Sequence, residues 1–163
     1  MTVRRGSPAD ADAIGRVHAI SRRAAYDRLV PAAALETLTA EGQASYWRQR
    51  LGTERDPFSL YVDEVDGTVD AFAMGSARPP LATLNAIHLV PELQGRGVAQ
   101  QLHAALLEDF AAWGCTTAEL WVLDGNERAQ AFYRRLGWVP DGERSTHTIG
   151  DVIVPVLRYS RSL

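Results

Sequence analysis

The chain has 163 residues, 46% hydrophobic and 23% charged, which is the balance of a soluble globular protein with a sizeable core. A net charge of -3 and no long basic run exclude generalised binding to nucleic acid or to an anionic membrane. Cys115 is the only cysteine, which excludes an internal disulfide and a cysteine-held zinc and fits a reducing compartment. The first residues, MTVRRGSPADADAI, contain no apolar stretch of the signal-peptide kind. No run approaches the roughly 20 apolar residues of a membrane helix, so the expected location is the cytoplasm. Residues 2–6 read as a short strand. A helix follows, with Ser7 at the N-cap, Pro8 at the first helical position and a stripe through Ile14, Val17 and Ala24. Pro31 marks a second helix start covering Leu35 and Leu38. Residues 42–51 read as a third helix, with Trp47 and Leu51 at i, i+4.

From residue 58 the hydrophobic period changes. Residues 58–77 form two extended runs around Asp66-Gly67, a tight-hairpin signal, and residues 82–90 form a third. Residues 97–113 return to helical spacing, with Val98, Leu102, Leu106 and Trp113 on or near one face. Residues 118–123 read as a strand. Residues 126–137 read as a short helix capped by Asn126 and ended by Gly137. Residues 138–144 and 147–160 are extended in character. With no repeats, low-complexity segments or linkers, residues 1–163 read as a single domain: one mixed α/β sheet with helices on both faces.

The stretch VPELQGRGVAQQLHAALL, residues 90–107, carries the strongest functional signal. A strand runs into a glycine loop, and the loop opens a helix whose first N–H groups are free for an anion. A dinucleotide fingerprint fails because its third glycine position is Gln100, and no Gly-Lys-Ser/Thr exists for a P-loop. A third pattern, Q/R-x-x-G-x-G/A, matches at every defined position over Gln94, Gly95, Arg96, Gly97, Val98 and Ala99. With it, the chain resembles the GNAT superfamily of acyl-CoA-dependent N-acetyltransferases. The likeness extends to LNAIHLVPELQGRGVAQQLHAALL, to ELWVLDGNERAQAFYRRLGWVPDGE and to the helical region before residue 52, so it covers nearly the whole chain.

The resemblance implies a mixed, mostly antiparallel central sheet in which two splayed parallel strands form an acyl-CoA cleft. It implies that backbone near Leu89 and Val90 pairs with the pantetheine arm. The N–H groups from Gln94 to Ala99 hold the pyrophosphate, Arg96 adds a charged contact, and Asn126 and Tyr133 complete the cofactor site. Acetyl-CoA is the expected cosubstrate, and Tyr133 occupies the family's proton-donor position. Each residue also has a plainer reading. Gly95 and Gly97 can shape a turn, Asn126 can be a helix cap alone, and Tyr133, four residues after Ala129, can be a packing side chain.

One position departs from the family pattern. Many members carry a glutamate eleven residues before the loop glutamine, and here that position is Thr83. Strand alternation puts Thr83, Asn85, Ile87 and Leu89 on one face and His88 on the other, with a β-bulge as the device that would reverse it. On that alternation no strand carboxylate or histidine deprotonates the amine. His18 and His103 stand isolated on helices as structural or solvated residues, and no histidine has a partner at metal-ligand spacing, so no metal is expected. Tyr26, Thr83 and Asn85 are the candidate acceptor-site residues. Tyr61, Arg78, Trp47 and Trp138 lie in the same regions without forming a readable pocket. The acceptor is an amine of a small molecule or a peptide, with no nucleic-acid or membrane partner. Similar proteins are often dimers, so a homodimer is among the expectations. Two rival readings are a non-catalytic acyl-CoA sensor of the same fold and a nucleotide-dependent oxidoreductase.

Overall fold

The computed structural model describes residues 2–163. Strand β1 (Thr2–Arg5) leads through a 3₁₀ turn, Pro8–Asp10, into α1 (Ala11–Tyr26). Pro8 presets a helical φ, and the Ser7 N–H donates to Asp10 Oδ2 at 2.8 Å, so the turn is fixed before the helix begins. Helix α2 spans only Ala32–Leu35 and stops short of Leu38. The Thr37 hydroxyl donates to the Ala34 carbonyl at 2.6 Å, which offers the backbone an alternative to another helical turn. Thr39 then caps α3 (Ala40–Thr53), its Oγ1 accepting from the Gly42 N–H at 3.0 Å.

Strands β2 (Phe58–Val65) and β3 (Thr68–Arg78) form the hairpin expected at Asp66-Gly67, whose φ values are 50° and 78°. Next come β4 (Leu81–Leu89), a second 3₁₀ turn (Pro91–Leu93) and α4 (Val98–Ala112). The chain continues through β5 (Thr117–Leu123), α5 (Glu127–Arg135), β6 (Val139–Ile149) and β7 (Val152–Ser162). The sheet order is β1-β2-β3-β4-β5-β7-β6, and every neighbouring pair is antiparallel except β4 and β5.

The alternation in β3 sorts large from small side chains. Phe72 and Met74 face α1 and α3, where they pack with Ile14, Val17 and Trp47. Ala71, Ala73 and Ala77 face α4 and leave room for Leu102, Leu106 and Phe110. A Cβ on Gly75 would lie 2.4 Å from Phe110 Cζ, so the helix rests directly on the strand backbone there. Each face also holds a histidine locked by an indole. Trp47 Nε1 donates to His18 Nδ1 at 3.0 Å, and Trp138 Nε1 donates to His103 Nε2 at 2.9 Å. Both histidines are buried, and burial holds both well below the usual imidazole pKa, His103 at about 4. Helices cover both faces of the sheet as expected, but neither histidine is isolated: beyond the two indole bonds, the His18 ring centroid lies 4.4 Å from that of His88.

Asn126 caps α5, with Oδ1 accepting from the Ala129 N–H at 3.2 Å. Asn126→Ala removes that acceptor and is expected to lower stability by about 1 kcal/mol, read as a shift in the urea midpoint with an unchanged m-value. An unchanged midpoint would exclude a capping contribution.

Candidate active site

The sheet opens where its one parallel pair comes apart. β4 and β5 are in register only from Leu81↔Thr117 to Thr83↔Glu119, while β5 stays paired with β7 along its whole length. The cause lies in β4. Gly75 pairs with Leu84 and Met74 with Ala86, so Asn85 is an extra residue, and a bulge of this kind bends its strand. Beyond it, β4 and β5 border a cavity of about 1220 Å³.

The bulge overturns the expected alternation. Ala86 and His88 pair with Met74 and Phe72, which face α1 and α3, and Thr83 pairs with Ser76, on the same side of β3 by alternation. Ile87 and Leu89 pair with Ala73 and Ala71, which face α4. His88 therefore stands on the same face as Thr83, lines the cavity, and holds Ser21 Oγ at 3.0 Å through Nδ1. Burial first, and the nearby Arg22 charge second, depress the His88 pKa to about 3.

One wall of the cavity is the loop between β4 and α4. Gly95 and Gly97 have φ of 77° and 82°, a left-handed backbone that favours glycine. Gly97 is the N-cap residue of α4. Among the described residues, the N–H groups of Gly95 and of residues 97–100 meet no backbone acceptor. A helix N-terminus with free N–H groups attracts an anion.

The candidate residues from the sequence divide as follows. Leu89, Gln94, Gly95, Gly97, Ala99, Asn126, Tyr133, Tyr26 and Asn85 line this cavity. Thr83 does not, because it sits in the last paired rung with Glu119. Val98 is fully buried in the core and presents only its backbone, while Arg96 is exposed outside the lining. Val90 lines a separate, smaller cleft; its N–H donates to Asp70 O at 3.0 Å, and its carbonyl accepts from Leu93 at 3.0 Å. Trp47 and Trp138 are core residues, Tyr61 donates to Asp109 at 2.9 Å, and Arg78 pairs with Asp56 at 2.7 Å.

Tyr133 is 8% exposed, its hydroxyl makes no hydrogen bond among the described residues, and that oxygen keeps surface open to the cavity. Burial pushes its pKa well above the usual phenol range, with Tyr26 as a smaller contributor, so it stays protonated at any working pH. The cavity lining also includes residues that the sequence did not assign to a site: Ser21, Arg22, His88 and His147. Arg22 Nη2 lies 2.8 Å from His147 Nε2, across 125 positions of chain, and its guanidinium stands 5.4 Å from the Tyr26 ring centroid. The i, i+4 spacing of Arg22 and Tyr26 was the one available signal, and it does not say what the helix faces.

The acetyltransferase (GNAT) family model matches residues 24–138. The mycothiol acetyltransferase of Acidimicrobium ferrooxidans is 33% identical over 114 residues, which cover 67% of this chain and only 34% of that protein. An uncharacterized N-acetyltransferase of Mycobacterium bovis is 29% identical over 130 residues, 72% of this chain and 81% of the relative. In fold, the chain superposes on the PaiA N-acetyltransferase of Thermoplasma acidophilum, solved in complex with coenzyme A. The TM-score is 0.78 over 99% of this chain and 98% of that one, at 17% identity. The chain belongs to the GNAT family of acetyltransferases.

Proposed function

We propose that this chain transfers an acetyl group from acetyl-CoA to a primary amine, with Tyr133 as the proton donor to the departing sulfur. The observation that carries this reading is the meeting of two features in one cavity: a loop of free N–H groups and a buried, unpartnered phenol. Acetyl-CoA fits the residues present. The free N–H groups of Gly95 and of residues 97–100 suit a pyrophosphate, and the bent strand edge near Leu89 suits an extended pantetheine arm. The thioester supplies the acetyl group and its activation. The chain's own residues hold it, polarise its carbonyl through strand N–H groups and protonate the sulfur.

The amine's proton is the remaining question. His88 faces the cavity, but a base of pKa about 3 cannot strip a free alkylammonium of pKa about 10.4 before attack. The amine must arrive neutral; once the C–N bond forms and the C–S bond breaks, the proton shed by its nitrogen replaces the one Tyr133 gives to sulfur, so no net proton is taken up. His88 stays uncharged above about pH 4, so it contributes no titration near neutrality. With saturating acetyl-CoA, kcat/KM for the amine is expected to rise about tenfold per pH unit up to the amine's own pKa. A limb near pH 6.5 that vanishes in His88→Gln would instead make His88 the base.

The test of the function itself is CoA release from acetyl-CoA across a broad amine panel. Acetyl-CoA binding without release on any amine would favour a sensor of the same fold.

A further inference from the structure

The cavity has an unusual charge balance. The chain carries 20 aspartates and glutamates, yet among the described residues none lines this cavity. Arg128 and Arg135 line it from α5 itself, where cofactor phosphates account for positive charge on the reading above. Arg22 is different. It projects from α1 into the cavity, where its Nη2 lies 2.8 Å from His147 Nε2 on β6.

Its neighbours position it without neutralising it. The His147 ring, held below its ordinary pKa by burial and then by Arg22, takes one guanidinium nitrogen as a neutral acceptor. Tyr26 supplies a ring face. Elsewhere eight arginines meet a carboxylate within 4.0 Å: Arg4, Arg5, Arg16, Arg48, Arg50, Arg78, Arg144 and Arg158. Arg22 is among the other nine arginines and is half-buried in the cavity lining, with His147 and the Tyr26 ring as the partners of its guanidinium among the described residues. A guanidinium anchored on one edge presents its other N–H groups as a pair, the arrangement that a carboxylate accepts.

We propose that the acceptor is an amine that carries its own carboxylate, an amino acid or related amino-carboxylate, and that Arg22 binds that carboxylate. The proposal rests on the acetyl-transfer reading. It also fits the chemistry, because a fixed positive charge disfavours the ammonium form and favours the neutral amine that attacks. A polycationic amine meets only like charge here. A peptide N-terminus brings an amide where the carboxylate belongs.

The test compares the protein amino acids with their carboxamides and with the corresponding decarboxylated amines, by CoA release from the full chain. For acceptors that turn over, kcat/KM for the free acid is expected to exceed that for its carboxamide by about 10- to 100-fold, chiefly through KM. Arg22→Met should bring that ratio close to one by slowing only the acid, and Arg22→Lys should recover part of it. Preference for carboxamides or diamines in the wild type, or a ratio unmoved in Arg22→Met, overturns the proposal and leaves acetyl transfer standing. A second measurement needs no turnover: calorimetric binding of N-acetylamino acids and their amides to the CoA-loaded protein. Acid-selective binding that depends on Arg22, with no release of CoA on any amine, keeps the carboxylate site and overturns the transfer reading. No acid-selective binding and no turnover overturns the site.

Discussion

Tyr133→Phe is expected to lower kcat by about 10²-fold or more while leaving CoA affinity nearly unchanged. The two side chains differ by one hydroxyl. That hydroxyl has no partner among the described residues, so removing it breaks no hydrogen bond that holds the fold. The ring keeps its place against Phe132 and Trp138, at centroid distances of 5.3 and 6.2 Å. A stability loss therefore cannot stand in for a catalytic one, and an unchanged Tm would verify this. The raised pKa of Tyr133 defines how it acts. So weak an acid is a hydrogen-bond donor to developing charge on sulfur first, and gives up its proton late. An acyl donor whose leaving thiol is more acidic needs that help less. The loss in the Phe variant should then be smaller with an activated aryl thioester than with acetyl-CoA. Full activity in the variant with a confirmed acceptor would make Tyr133 a packing residue.

The elements were legible in the sequence wherever the signal is local. Asp66-Gly67 specifies its turn because both positions need positive φ, and the 98, 102, 106 stripe specifies the buried side of α4. The glycine loop was legible for the same reason: free N–H groups and a left-handed backbone are properties of a few consecutive residues. The bulge at Asn85 was not legible. No glycine or proline in β4 itself marks it; the glycine at the shift, Gly75, stands on the partner strand, so a period-2 reading of β4 put His88 on the wrong face. The acceptor side was hidden for a related reason. Arg22 and His147 meet only because β6 is carried to the sheet edge beyond β7 while α1 packs on β3 and β4. The family resemblance found the cofactor loop, which varies little in its physical demands, and offered Thr83 for the acceptor side. The fold leaves that residue in the paired part of the strands.

Gly97→Val is expected to remove most of the stabilisation that CoA gives. Ligand at about 100 times Kd adds about 2.7 kcal/mol to a protein that binds it only when folded. For a chain of this size that is a Tm rise of roughly 5–10 °C. A Cβ at Gly97 meets nothing within 4 Å, so the effect does not come from a clash. It comes from φ, which is 82° at the N-cap of α4. A β-branched residue resists the left-handed region by about 1–3 kcal/mol, and the loop can relieve that strain by turning its N–H groups away from their common focus. Such a cost is small beside the 5–15 kcal/mol typical of a folded domain, so the fold survives while the anion site does not. Gly114, at the other end of the same helix, supplies the control. Its φ is 80°, its Cβ position is equally open, and it lies outside the cavity lining. Gly114→Val should lose a similar amount of stability in the free protein and keep the full rise with CoA. Equal CoA shifts in the two valine variants would detach the loop from cofactor binding.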